Sequence, residues 1–285
     1  MSAVWLRLAG LLLLAVSLSA QPARIVSTAP GVTEILYALG LGPKVVGVTT
    51  FCRYPPEALA KPKIGTFIQP DLERIAAQRP DLVFVIRNPI GLAGKLARLG
   101  LKVEELELDT VDEILASIRR AGRAAGVPEA GERLAGRLRA DLDRLRVDRQ
   151  GRPPVTVLYI VDRTPGTLQG MFAAGQGSYL DELMTLAGGR NVAPAGGGSF
   201  PKISLEQVLA ADPEVIIDMG DYSHGRAVTP ESRRAKLALW ARYPNLRAVR
   251  QGRVYDVSSD EFVVPGPRLA EAAKSLQAML NAETR

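Results

Sequence analysis

The alternation of apolar and charged positions is most regular between Glu129 and Val147. Apolar residues recur there at three- or four-residue spacing, which predicts one apolar stripe along a helix: Ala130, Leu134, Leu138, Leu142 and Leu145. Prolines at positions 128, 153 and 154 mark its two ends. At 1.5 Å per residue the helix would span roughly 28 Å. It is either an ordinary surface helix or a connector between two parts of the chain.

The segments on either side of this helix repeat each other. Leu72–Ile86 aligns without a gap with Leu205–Met219, and each copy predicts a short helix, a proline and a buried strand. A second match pairs Thr33–Gly40 with Asp181–Gly188. Because a solenoid needs at least three repeats, two copies predict two similar lobes. The long helix then becomes the element that joins them.

Strands and helices alternate along both halves of the chain, which predicts an α/β protein with parallel sheets. The predicted strands are Arg24–Ser27, Val45–Val48, Leu82–Ile86, Lys102–Leu108, Val155–Ile160, Val215–Met219 and Arg253–Val257. We expect an N-terminal lobe at residues 24–127, a connecting helix at 128–150 and a C-terminal lobe at 151–285. Ligands of such sheets bind beyond the carboxyl ends of the strands, so the loops of both lobes would form one cleft.

The first 20 residues predict a secretory signal peptide. Arg7 is their only charge, Leu8–Leu18 is an apolar core of suitable length, and small residues favour cleavage near Ala20. The apolar core is too short to span a membrane. The sequence therefore predicts a periplasmic or otherwise extracytoplasmic protein. Cys52 is the single cysteine, which excludes an internal disulfide and disfavours a bacterial lipid anchor at the end of the signal.

Composition and motifs limit the possible functions. The chain has 285 residues, 47% of them hydrophobic, and a formal charge of +6 that is scattered along it. Scattered charge favours a solvated surface over nucleic-acid binding. The sequence lacks a Ser-His-Asp set, metal-ligand spacing of His or Cys, and a phosphate-binding P-loop, which argues against an enzyme. A secreted α/β enzyme remains the alternative class.

Several segments together resemble the periplasmic substrate-binding proteins of ABC importers that carry vitamin B12, ferric siderophores or haem. These segments are RIVSTAPGVTEILYALGLGPKVVGVT, YPPEA, RPDLVFV, SYLDELMTLAGGRNV and FPKISLEQVLAADPEVII, within about residues 24–281. The resemblance implies two Rossmann-like lobes joined by one rigid helix, and a monomer without an intrinsic cofactor. It also implies delivery of a metal chelate to a permease and its ATPase, with membrane contact only through the permease. The spacing is closest to the cobalamin-binding branch, and a ferric siderophore or haem is the alternative ligand.

Aromatic residues are concentrated in the loops predicted to line the cleft: Tyr54, Phe67, Phe172, Phe200 and Phe262. Flat rings from two lobes suit the apolar faces of a corrin, although the same residues could belong to the core. The resemblance implies that Phe67 and Phe200 are aromatic ligand contacts and that Asp260 is a polar one. Arg87, together with Arg53 and Arg163, either holds an acidic ligand or is solvated.

Two glutamates occupy equivalent places in the repeat. Glu73 and Glu206 each lie in the first turn of a helix, after Asp71 or Ser204 as the expected N-cap. They either stabilise the helix dipole or, as the resemblance implies, dock on arginines of the two permease subunits.

Two further residues are candidates for contact with a metal-containing ligand. His224, the single histidine, either binds cobalt or haem iron or is an exposed loop residue. Cys52 either contacts the ligand or packs inside the protein.

Overall fold

The first half of the chain forms a parallel sheet in the computed structural model, which describes residues 21–88, 90–148, 153–220 and 229–282. In these residues the sheet has the strand order β2-β1-β3-β4, with β1 at Ile25–Ser27, β2 at Val45–Val48, β3 at Leu82–Ile86 and β4 at Val103–Leu106. Its helices are α1 (Pro30–Ala38), α2 (Leu72–Ala77), α3 (Leu92–Arg98) and α4 (Val111–Ala124). Alternate strand residues pack on opposite faces, so that Ile25 and Val26 join different hydrophobic clusters. The predicted signal segment and His224 lie outside the described residues.

The second half forms a mixed sheet with the strand order β10-β9-β5-β6-β8, and β7 also pairs with β5. The strands are β5 (Val155–Asp162), β6 (Met171–Ala173), β7 (Gly189–Asn191), β8 (Lys202–Ile203), β9 (Val215–Asp218) and β10 (Val254–Asp256). After the long connecting helix, which is described in the next paragraph, the helices are α6 (Tyr179–Leu186), α7 (Leu205–Ala211), α8 (Pro230–Ala241), α9 (Arg247–Arg250) and α10 (Leu269–Asn281). The predicted α/β class is confirmed. The structure adds β7 and the antiparallel strands β6 and β8, none of which is among the strands predicted from the sequence.

The long amphipathic helix is α5, which extends from Pro128 to Asp148. Its side chains Leu138 and Leu142 belong to a hydrophobic cluster that also contains Ile25 of the first sheet and Val157 of the second. Helix α5 packs against α4 of the first half and against α6 and α10 of the second, so its apolar stripe is buried and is not an ordinary surface face. Within the described residues, no helix is both long enough and apolar enough to cross a membrane.

The internal repeat is reproduced in the backbone. Helices α2 and α7 each begin with a side chain that accepts a hydrogen bond from an amide of the first turn, Asp71 and Ser204 respectively. Both repeats then place a non-glycine residue in the left-handed region, Arg79 at φ 46° and Asp212 at φ 39°. A proline follows each of these residues and prevents the helix from continuing.

Segments that follow strands of the first sheet contact segments that follow strands of the second. Helix α1 starts directly beyond β1, and a β-carbon added to Gly31 would lie 2.1 Å from the carbonyl oxygen of Pro265, which follows β10. The amide of Tyr179 at the start of α6 donates to the carbonyl of Asp109, beyond β4, at 2.7 Å. These contacts join loops from the carboxyl ends of both sheets, where ligands of α/β proteins bind.

Candidate functional site

A tight turn between β2 and α2 presents apolar side chains at the carboxyl edge of the first sheet. The amide of Thr66 donates to the carbonyl of Gln69 at 3.0 Å, which leaves Phe67 and Ile68 as the two central residues of the turn. Ile68 is 71% exposed, and Phe67 is partly buried against the core. Gly65 has a φ of 95°, and a β-carbon there would lie 2.6 Å from the carbonyl oxygen of Gln69, so the turn requires glycine. Sequence reasoning missed Ile68 because it considered only aromatic residues.

The antiparallel strands β6 and β8 present two phenylalanines in the second lobe. Phe172 is opposite Lys202 in the strand register, and the amide of Ala173 donates to the carbonyl of Pro201 at 3.0 Å. This pairing places Phe172 and Phe200 on one face of the ladder. The two side chains remain 40% and 41% exposed. Two exposed rings on one face of a ladder form an apolar surface, which makes this pair a candidate for contact with an apolar ligand.

Tyr54 follows β2 and is 43% exposed. The guanidinium carbon of Arg268 lies 4.0 Å from the centre of its ring. Arg268 donates from Nη2 to Oε1 of Glu34 at 2.5 Å, from Nε to Oε2 of Glu34 at 2.9 Å, and from Nη1 to Glu261 at 3.0 Å. Burial raises the pKa of Glu34, although the hydrogen bond from Arg268 opposes that change. Asp260, the predicted polar contact, is partly buried in the same turn as Glu261.

The structure corrects the expectation for Phe262. This side chain is only 7% exposed and belongs to the main hydrophobic cluster. Its carbonyl accepts a hydrogen bond from the hydroxyl of Tyr159 at 2.5 Å. Packing against the core leaves little of the ring for a ligand, so the structure favours the alternative that Phe262 is a core residue.

Arg163 is also buried and does not extend into the cleft as a ligand-binding arginine would. Its side chain is 0% exposed, and its Nε lies 3.2 and 3.1 Å from the two carboxylate oxygens of Asp218. The indole of Trp240 donates to the same carboxylate at 2.7 Å. These bonds satisfy a buried charge pair, which indicates a structural role at the end of β9.

The remaining candidates differ in exposure. Arg87 is mostly exposed and forms an ion pair with Glu107, and Arg53 is partly buried. Cys52 is buried, with its sulfur 3.1 Å from the hydroxyl of Thr33, and burial raises the pKa of its thiol. Packing is therefore the better explanation for Cys52, because a reactive or ligating cysteine needs its thiolate form.

A groove of about 690 Å³ opens on the flank of the lobe junction. It extends from Tyr54 and Arg268 along α1 to Gly42, and its other walls include Glu57 and Glu271. Among the described residues, the phenylalanines of the cleft walls do not line it. The candidate ligand site is therefore defined by the rings of Tyr54, Phe67, Phe172 and Phe200. Of these residues only Tyr54 also lines the groove, together with its neighbour Arg268.

Glu73 and Glu206 are exposed in the first turns of α2 and α7. Each follows an aromatic residue of the cleft by six positions, Phe67 in the first lobe and Phe200 in the second. A hydrogen bond from the hydroxyl of Ser204 lowers the pKa of Glu206 and so favours its charged form. Each lobe therefore carries one aromatic residue of the cleft and one exposed carboxylate on adjoining short elements.

The described residues contain no cluster of three or more His, Cys, Asp or Glu side chains arranged to hold a metal ion. The prediction for His224 lies outside those residues. The candidate site consists of aromatic and aliphatic surface, with Asp260 and Arg268 as candidate polar groups.

Comparisons with known proteins agree with this architecture. The family model described as periplasmic binding protein matches residues 25–261. The vitamin B12-binding protein of Vibrio cholerae is 30% identical over 266 residues, which cover 91% of each chain. The crystal structure of the periplasmic vitamin B12 binding protein BtuF of Vibrio cholerae is 29% identical, with a TM-score of 0.74 over 91% of this chain and 97% of the other. The periplasmic heme-binding protein RhuT from Roseiflexus sp. RS-1 is 31% identical, with a TM-score of 0.75 over 90% and 97%.

Proposed function

The chain belongs to the periplasmic binding protein family, and we propose that it captures a corrinoid between its two lobes. The exposed phenylalanines of the β6–β8 ladder are the observation on which this proposal depends. Phe172 and Phe200 offer flat apolar area on one lobe, while the other lobe contributes the exposed ring of Tyr54 and the partly buried ring of Phe67. The vitamin B12-binding relatives support a corrinoid as the cargo. On this proposal the protein binds its ligand and releases it chemically unchanged.

Apolar contact is sufficient for tight capture of such a ligand. A corrin has broad apolar faces, and burial of ~400 Å² at ~25 cal/mol per Å² contributes about 10 kcal/mol before the costs of association. The amide rim of the ligand then needs only a few polar partners. Asp260 is our candidate for one of them, and Arg87, whose side chain is mostly exposed, is our candidate for a second.

The test is calorimetric titration of the mature protein with cyanocobalamin, haemin and a ferric hydroxamate. We expect saturable binding of cyanocobalamin and recovery of unchanged ligand. If the protein binds haemin, with a shifted Soret band, and does not bind cyanocobalamin, the corrinoid assignment is overturned. The assigned ligand would then be haem, as in the name of the heme-binding relative RhuT. Chemical conversion of the ligand would instead support the alternative of an enzyme.

We further propose that the protein is exported and delivers its ligand to an ABC importer. Glu73 and Glu206 are the proposed docking groups, since each lobe presents one exposed carboxylate that can pair with an arginine. Reversal of both charges to lysine should abolish uptake of labelled cyanocobalamin through the cognate importer without weakening binding in solution. Glu231→Lys, an exposed glutamate in the first turn of α8, is the matched control. Normal uptake by the double variant would refute the docking role.

The connecting helix limits the expected motion. We propose lobes at residues 24–127 and 151–285 around a rigid connector at 128–150, since α5 packs into the cluster shared by both sheets. Ligand binding should therefore produce only a small hinge movement. Small-angle scattering of the free and bound protein tests this, and a change as large as a full domain closure would contradict it.

A further inference from the structure

We propose that Arg268 is a positioning residue that orients Tyr54 from one lobe and the Asp260 turn from the other for ligand recognition. This inference rests on the proposed function for its ligand, but its geometric basis is independent of which ligand is bound. Arg268 lies immediately before α10, in the second lobe, and its side chain is 12% exposed. Its contacts divide between the two lobes.

The edge of the guanidinium is fixed by carboxylates on both sides. Glu34 of α1, with 3% of its side chain exposed, receives two of the hydrogen bonds, and Glu261 receives a third. Two bonds to one carboxylate set the plane of the group as well as its position. The neighbouring backbone contact between Gly31 and Pro265 keeps this part of the second lobe against α1.

The face of the guanidinium is then available to Tyr54. At 4.0 Å from the ring centre, it is within the distance at which a cation attracts an aromatic face. A ring that is 43% exposed on a loop would otherwise sample several orientations. Arg268 therefore holds one face of Tyr54 and leaves the rest of the ring for the ligand.

The same arginine restrains the turn that carries Asp260. Glu261 accepts from Arg268 and also from the hydroxyl of Ser259. The carbonyl of Asp260 accepts from the amide of Val264 at 2.8 Å, which closes the turn on its other side. One side chain thus connects a candidate aromatic contact in the first lobe with a candidate polar contact in the second.

A lysine cannot replace this arrangement. It lacks the planar fork that bonds two carboxylates while stacking on a ring. Arg268→Lys keeps the charge and most of the volume, so it separates positioning from simple electrostatics. Arg247→Lys is the matched control, because Arg247 also pairs with two carboxylates, Asp212 and Glu214, but lies on α9.

The first experiment needs no ligand. Ring-labelled tyrosine gives NMR signals for the seven tyrosines, and the Tyr54 signal is assigned by its loss in Tyr54→Phe. We expect Arg268→Lys to broaden the Tyr54 signal or move it toward the position of free tyrosine, and Arg247→Lys to leave it unchanged. Glu34→Gln, which keeps Arg268 but weakens its anchor, should give a smaller change in the same direction. An unchanged Tyr54 signal in a folded Arg268→Lys protein would overturn the proposal.

The second experiment measures coupling in cyanocobalamin binding. Arg268→Lys should weaken binding about tenfold, and less than twofold when Tyr54 is already alanine. Combined with Phe200→Ala, its effect should be additive. A weakening that is equally large in the Tyr54→Ala background would mean a merely structural role and refute positioning. If the wild-type protein does not bind cyanocobalamin, the proposed function fails, while the ring signals still decide the role of Arg268.

Discussion

The substitution Phe200→Ala tests the aromatic wall of the second lobe most directly. The side chain is 41% exposed, and a phenylalanine offers ~200 Å² in total, so about 80 Å² is available to a ligand. At ~25 cal/mol per Å², loss of this area costs about 2 kcal/mol of binding free energy. We therefore expect the dissociation constant for cyanocobalamin to rise about 30-fold.

The assay is calorimetric titration at one temperature and ionic strength, with thermal unfolding measured alongside. Phe172→Ala should behave similarly, because its ring is 40% exposed on the same face of the ladder. Leu209→Ala is the control, since Leu209 is also 41% exposed but lies on α7, three residues after Glu206. It should leave the dissociation constant unchanged.

Any one of three outcomes would contradict the reasoning. A rise of less than about threefold for both phenylalanine variants would mean that the exposed rings do not contact the ligand. An equal effect of Leu209→Ala would mean that the loss is general and not specific to the cleft. A lower unfolding temperature for Phe200→Ala would also disagree with the structure, because an exposed ring contributes little to the core.

Three further predictions concern stability, each measured by urea unfolding. Gly136→Ala should stabilise the protein by about 0.5–1 kcal/mol, because alanine favours the helix and the new β-carbon on the open face of α5 meets no other atom within 4 Å. Gly131→Ala in the same helix should destabilise the protein, because its β-carbon would lie 3.1 Å from a carbonyl oxygen of α4. Asp218→Asn should cost about 3–5 kcal/mol, because it leaves a buried arginine without its countercharge. A hydrogen bond from the amide of Thr156 lowers the pKa of Glu214 below its usual 4.5. The charged carboxylate of Glu214 therefore stabilises the fold above pH 4.5, and this contribution is lost as the pH falls through the folded-state pKa. The stability difference between wild type and Glu214→Gln should therefore shrink on acidification, and a constant difference would contradict this assignment.

The sequence pattern predicted the elements that have long apolar runs or clear ends. The predicted bounds of β2 and β3 agree with the structure, and α5 begins and ends one residue beyond its prediction. Proline stops and buried four- or five-residue runs account for this success. The strands β6 and β8 are three and two residues long, too short for any periodicity to be visible, and both lie among glycines. Their antiparallel pairing arises from tertiary contacts alone.

The candidate site was predictable where it follows the repeat and not where it departs from it. Phe67 and Phe200 lie at equivalent distances before Glu73 and Glu206, so sequence comparison within the chain finds them. The sequence pattern did not identify Arg268, because its partner Glu34 is 234 residues away along the chain. The two residues come into contact only through the packing of one lobe against the other. A contact between lobes cannot be inferred from the pattern of either lobe.

On the proposed function, the two lobes contribute to ligand recognition in different ways, because the repeat differs between them. The first lobe brings Phe67 to the cleft on a four-residue turn, and its other ring, Tyr54, depends on Arg268 of the second lobe for its orientation. The second lobe brings Phe172 and Phe200 on a hydrogen-bonded ladder that is fixed within the lobe itself. The second lobe is therefore preorganised before the ligand arrives, while the orientation of Tyr54 requires contact between the lobes. Since α5 and the Gly31–Pro265 contact maintain that contact, both walls can be in place without a large closing motion.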